Sequence, residues 1–134
     1  MFEKLKLKAS KTVDVGRYGE KAACRFLKKK GYKIIDSNRH ESHKEIDIIA
    51  QNKKHIVFVE VKTRSVSEDL FNPYGTPASA VNKAKQSNLI FAARSYLRNN
   101  RNERIPRMDV IEVYLNKGTS KILKINHYEN AFHA

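Results

Sequence analysis

Two segments place acids and a lysine at strand spacing. Glu45-Ile46-Asp47-Ile48-Ile49-Ala50 and His55-Ile56-Val57-Phe58-Val59-Glu60-Val61-Lys62-Thr63 are both rich in β-branched and apolar residues. With a period of two, Ile56, Phe58, Glu60 and Lys62 share one face of the second segment, and Val57, Val59 and Val61 share the other; Glu45 and Asp47 share a face of the first. The polar stretch Gln51-Asn52-Lys53-Lys54 between them reads as a hairpin turn. Pairing Ala50 with His55 sets Asp47 across from Phe58, on the face of Glu60 and diagonal to it. A register shifted by two residues keeps both acids on one face. Asp47, Glu60 and Lys62 therefore converge at one end of a hairpin, with Glu45 nearby. Neighbouring carboxylates repel and are not buried without compensation. A divalent cation such as Mg²⁺ or Mn²⁺ supplies it, taking carboxylate oxygens while leaving room for water and phosphate oxygens. The chemistry expected of such a set is activation of water against a phosphodiester. Lys62 would orient or help deprotonate that water, or neutralise the phosphate.

The elements that must position these groups follow from periodicity and end signals. A first helix is expected from Thr12 or Asp14, either of which can cap it, to just before Gly31, with Lys28-Lys29-Lys30 at its negative end. Its apolar stripe runs through Ala23, Phe26 and Leu27, and Glu20 falls on that inward stripe, where it would extend the metal shell. Tyr32–Ile35 reads as a short strand, and Arg64–Pro77 as a long loop with turn signals at Asn72-Pro73 and Tyr74-Gly75. A second helix is expected from a Thr76 cap and Pro77 to about Asn99. Lys85 lies four residues from both Val81 and Leu89, inside its stripe, and could hold a phosphate oxygen. Strands over Met108–Leu115 and Lys121–His127, joined through Asn116-Lys117-Gly118, close an α-β-β-β-α-β-β order. That is an α/β layered fold with a central mixed sheet flanked by helices.

Composition narrows the partners. The chain has 134 residues, with 27 Lys and Arg against 14 Asp and Glu, a net charge of +13. That length suits a single domain over 1–134, preceded at 1–11 by a basic and flexible N-terminal segment. The charge excess points to a polyanion, first of all nucleic acid. A single cysteine, Cys24, excludes an internal disulfide and fits a reducing cytoplasm; no apolar run approaches a membrane span. The bland readings are also plain. A Glu-x-Lys on a strand is commonly a solvated face, and inward Glu or Lys on a helix often snorkels at an edge. The stretch from Lys83 to Arg107, including Arg94, Arg98 and Arg101 with the single acid Glu103, is either a soluble helix face or a phosphate-tracking surface. Phe71 and Tyr74 either stack on unpaired bases or pin their loop. The histidines and Cys24 have no zinc spacing, and Cys24 reads as packing. What favours chemistry is coincidence: Glu20, Asp47, Glu60, Lys62 and Lys85 are each polar where periodicity points inward.

Several of these segments carry a resemblance. Gly16-Arg17-Tyr18-Gly19-Glu20, Glu45-Ile46-Asp47-Ile48-Ile49-Ala50 and Val57-Phe58-Val59-Glu60-Val61-Lys62-Thr63-Arg64 resemble the bacterial YraN family. So do Ala80-Val81 with Lys85-Gln86, then Arg107-Met108-Asp109-Val110-Ile111 and Asn130-Ala131-Phe132, in order over nearly the whole chain. That family is largely uncharacterised and is similar to archaeal Holliday-junction resolvases, within the restriction-endonuclease-like nucleases. The resemblance implies that fold, with Asp47, Glu60 and Lys62 as catalytic residues and Glu20, Asp47 and Glu60 around Mg²⁺ or Mn²⁺. It also implies that Lys85 and Gln86 form the polar pair on the helix after the catalytic strand. Glu45, Lys85, Gln86, Arg94, Arg98 and Arg101 complete the expected nucleic-acid-contacting set. The family usually has Gly before Glu-Ile-Asp; here His43-Lys44 stand there. The expectation is a metal-dependent endonuclease acting on DNA, branched or otherwise structured. The alternatives are a non-catalytic nucleic-acid-binding module of the same fold and an interaction protein with a vestigial site. Resolvases of similar fold act as dimers on the two symmetric strands of a junction, so a homodimer is compatible with the resemblance, although no dimer surface stands out in the sequence.

Overall fold

A computed structural model of the protein describes residues 11–67 and 81–133. The elements are α1 (Lys11–Lys29), β1 (Lys33–Glu41), β2 (Lys44–Gln51), β3 (His55–Val66), α2 (Lys83–Asn99), β4 (Ile105–Asn116) and β5 (Ile122–Phe132). This is the expected α-β-β-β-α-β-β order. The five strands form one sheet in the order β1-β2-β3-β4-β5. Only β3 and β4 run parallel, and the connection between them contains α2, because parallel neighbours need a crossover.

The sheet is covered on both faces. α1 packs Ala22, Ala23 and Leu27 against Ile48, Val57, Val59 and Ile111, and α2 packs Leu89, Ala92, Ala93 and Tyr96 against Ile49, Ile56, Phe58 and Val110. Ile56, Val57, Phe58 and Val59 are all fully buried, which explains a run of consecutive apolar residues in place of alternation. α1 ends as the basic run and Gly31 foretell. Gly31 takes φ +96°, Tyr32 N–H donates to Leu27 C=O at 3.0 Å and Gly31 N–H to Lys28 C=O at 3.0 Å, a Schellman stop. Midway along its length α1 lies against β3 so closely that a Cβ on Gly19 would overlap the Thr63 side chain.

Several boundaries differ from the sequence reading. α1 already includes Lys11, so Thr12 and Asp14 lie inside it. β1 continues from Ile35 to Glu41 and turns into β2 through Ser42 and His43, both left-handed at φ 49° and 69°. Such two-residue turns normally advertise themselves with Asn or Gly, and neither stands at those two positions. β3 continues past Thr63 to Val66 because β4 pairs with it that far, Val66 opposite Asn116. α2 begins at Lys83, where Asn82 caps it by accepting from Lys85 N–H at 2.9 Å; Val81 is buried but precedes the helix. The expected cap Thr76, Pro77, Phe71 and Tyr74 lie outside the described residues, as do the first ten residues. β4 and β5 are each longer than expected, β5 reaching Phe132. No helix among the described residues is long and apolar enough to cross a membrane.

Candidate functional site

The β2–β3 register pairs Ala50 with Val57 and Ile48 with Val59. It is shifted by two residues from the expected Ala50–His55 pairing, and such a shift preserves faces. Extending the observed register by one step sets Asp47 opposite Glu60. The ladder stops there: β2 pairs with β3 only over Ile48–Gln51, while β3 goes on beside β4. At the point of parting the Asp47 carboxylate replaces a ladder partner, its Oδ2 accepting the Val61 N–H at 2.8 Å. Two strands that separate under a covering helix leave a gap, and the acids line it.

Asp47 is pushed up to about 8, first by burial and then by the charge of Glu60, against the Val61 N–H that stabilises its anion. A hydrogen bond with Glu60 adds to the upward shift, as does the charge of Glu20. Desolvation and the neighbouring carboxylate thus both favour the protonated form of Asp47. Lys62, on the same face, has Lys85 of α2 as its close neighbour. Lys85 as neighbour and then burial lower the Lys62 pKa, while the contact with Lys62 raises that of Lys85. The cavity between these elements, about 350 Å³, is lined by His43, Lys44, Glu45, Asp47, Glu60, Lys85, Asn88 and Leu89.

Other expected site residues lie elsewhere. Glu20 does not line that cavity. α1 covers the opposite face of the sheet from α2, and Glu20 lines a second groove, bounded by α1 and β1, with Asn38 and Glu45. Burial raises the Glu20 pKa, a hydrogen bond from Asn38 lowers it, and the charges of Glu45 and Glu60 raise it further. Glu45 lines both spaces. Among the described residues no three His, Cys, Asp or Glu side chains gather closely enough to hold a metal ion. Glu20 thus stands apart from the cavity that Asp47 and Glu60 line, although its charge is felt there. Gln86 spends its amide on the Val81 C=O at 2.9 Å, tying down the segment before α2. Arg94 and Arg98 are exposed on α2, roughly 14 and 20 Å along the axis from Lys85 at about 1.5 Å per residue. Arg101 is exposed beyond the helix end.

Sequence reasoning missed three features. His43 reaches the cavity through the unadvertised turn. Glu112, opposite Lys62 in the β3–β4 register and almost fully buried, is held by Tyr128 Oη–H at 3.0 Å and faces Arg64 Nε at 3.6 Å. Asp109, completely buried, receives Arg107 twice (2.9 and 2.8 Å) and the Asn130 N–H (2.9 Å), and meets His127 Nε2 at 2.7 Å. His127 Nδ1 in turn lies 2.8 Å from Lys30 Nζ, so the cluster braces β4 and β5 against the end of α1. The signal for it was available: Arg107 and Asp109 alternate with Met108 at inward positions of a strand.

Fold and site define a three-layer α/β/α protein with a carboxylate pair and a lysine pair where two antiparallel strands part. Its family is equally plain. The profile of Uncharacterised protein family UPF0102 matches residues 19–113. A UPF0102 protein of Caldanaerobacter subterraneus subsp. tengcongensis is 44% identical over 119 residues, covering 88% of this chain and 93% of that protein. One of Alkaliphilus oremlandii is 46% identical over 121 residues, covering 88% and 97%. A third, of Symbiobacterium thermophilum, is 45% identical over 121 residues, covering 90% and 97%. The chain belongs to the UPF0102, or YraN, family.

Proposed function

We propose that this protein is a divalent-metal-dependent endonuclease acting on DNA, with branched or otherwise structured DNA as its substrate class. The observation that carries the reading is the half-buried Asp47–Glu60 pair, set near Lys62 and Lys85 and open to a cavity. A protein that only binds a polyanion gains nothing from placing two repelling acids side by side in a basic surface. The donor set fits Mg²⁺ or Mn²⁺: hard carboxylate oxygens, few enough to leave coordination positions for water and phosphate. When bound, the ion supplies Lewis acidity toward water and phosphate oxygens.

The protein's own groups do the rest. Asp47 and Glu60 would hold the ion, and the Val61 N–H keeps Asp47 in position. Lys62, lowered by its neighbour Lys85, takes the proton of the attacking water. Lys85, retaining its charge, faces the phosphate oxygens from the cavity wall. The working location consistent with a free cysteine and a DNA substrate is the cytoplasm.

The test is incubation with single-stranded, duplex, flap and four-way-junction DNAs, with Mg²⁺, Mn²⁺ or chelator, alongside Asp47→Asn. Metal-dependent cutting lost in the variant supports the reading. DNA binding without metal binding or cutting would replace it with the non-catalytic module.

A further inference from the structure

The groove between α1 and β1 has no role in the site chemistry, yet four Lys and Arg residues line it against two acids, Glu20 and Glu45. One wall is a stripe of α1: Arg17, Lys21, Arg25 and Lys28, at helical spacing and all exposed. Among the described residues none of the four forms a salt bridge. Unpaired cations along one groove wall are costly in self-repulsion and are relieved by a polyanion. The stripe spans about 16 Å at about 1.5 Å per residue, long enough to meet several successive phosphates of one strand. The opposite wall supplies Ser37, Asn38 and His40, hydrogen-bonding groups of which only His40 carries an aromatic ring. Glu45 lines both this groove and the Asp47–Glu60 cavity, so the two spaces adjoin at the end of β2.

We propose that the α1–β1 groove is the DNA-backbone track of this protein, guiding one strand by its phosphates toward the Asp47–Glu60 cavity. The track holds the backbone more than the bases, because its walls present mainly cations and small polar groups, with His40 as the one aromatic ring among its lining residues. It, and not the distal arginines of α2, is the main source of affinity. The proposal rests on the nuclease reading for its direction and purpose but needs no cleavage to be tested.

The experiment measures binding of fluorescent duplex and four-way-junction DNA to the full chain in chelator, across a salt series. Arg17, Lys21, Arg25 and Lys28 are changed together to Gln. A second variant changes the exposed Lys33, Lys53, Lys54 and Lys121 to Gln, removing equal charge away from the groove. The groove variant is expected to lose at least about tenfold in affinity and to flatten the log–log salt slope by up to about 3 units, with the second variant changing far less. Independently, the single cysteine, Cys24, lines the groove, and bound DNA should slow its alkylation by N-ethylmaleimide severalfold in the unmodified protein. Equal losses in the two variants, or alkylation of Cys24 unaffected by saturating DNA, would overturn the track while leaving the nuclease reading standing. Failure of the parent protein to bind any DNA would overturn both.

Discussion

Lys62 of β3 and Lys85 of α2 stand as close neighbours near Glu60, cation site against cation site. The contact lowers one lysine and raises the other, so two residues of one type acquire different work. One becomes a candidate base and the other a fixed positive charge.

That division is testable by rate. Lys62→Ala should slow cleavage by about 10²–10⁴-fold, the usual share of a general base, while leaving Mn²⁺ affinity unchanged by calorimetry. Lys85→Met removes the chief cause of the lowered Lys62 pKa, so the acid limb of the pH–rate profile should move to higher pH. A profile that stays in place would show that Lys85 does not set the protonation of Lys62.

Asp47 gives a stability prediction with a definite sign. Its folded pKa, about 8, lies above its unfolded value of about 3.9. Its contribution is therefore fully present below pH 4 and is lost as pH rises through 8. Without divalent ions, the thermal stability of the parent relative to Asp47→Asn should fall steadily between those limits. Added Mn²⁺ at high pH should restore it for the parent alone, since the variant lacks the ligand. The same variant should bind DNA as well as the parent or better, because a negative charge beside the phosphate has been removed.

The Asp109 cluster predicts the opposite pH trend. Burial pushes Asp109 up, but His127, Arg107 and the Asn130 N–H together outweigh it and hold the carboxyl below its usual range. Its contribution is present above about pH 3.9 and is lost as pH falls through the lowered folded value. Asp109→Asn leaves Arg107 without its anion and should cost about 3 kcal/mol or more in urea unfolding at pH 7. A loss below about 1 kcal/mol would mean that the brace is dispensable.

The two glycines of α1 should respond in opposite directions. Gly16 has open space around it, so Gly16→Ala should stabilise the helix by up to about 1 kcal/mol. Gly19→Ala drives a methyl group into Thr63 and should destabilise by about 1–3 kcal/mol. Melting curves of the two variants decide whether α1 is seated on β3 as closely as described.

The acid and lysine positions were legible from the amino-acid order because side-chain direction within one strand follows from a period of two. Glu60 and Lys62 share a face whatever the neighbours do, and Asp47 joins them in any register that differs by two. The inward turn of Glu20 and Lys85 followed equally from helical spacing. Periodicity, however, says only which side of its own element a residue occupies. Which face of the sheet each helix covers is set by packing, and that choice put Glu20 in the α1 groove and Lys85 in the Asp47–Glu60 cavity. The same holds for the turn at Ser42 and His43, where surrounding strand pairing imposes left-handed backbone on residues that do not announce it. It holds again for Asp109 and His127, far apart in the chain and brought together because antiparallel β4 and β5 place them side by side above the end of α1.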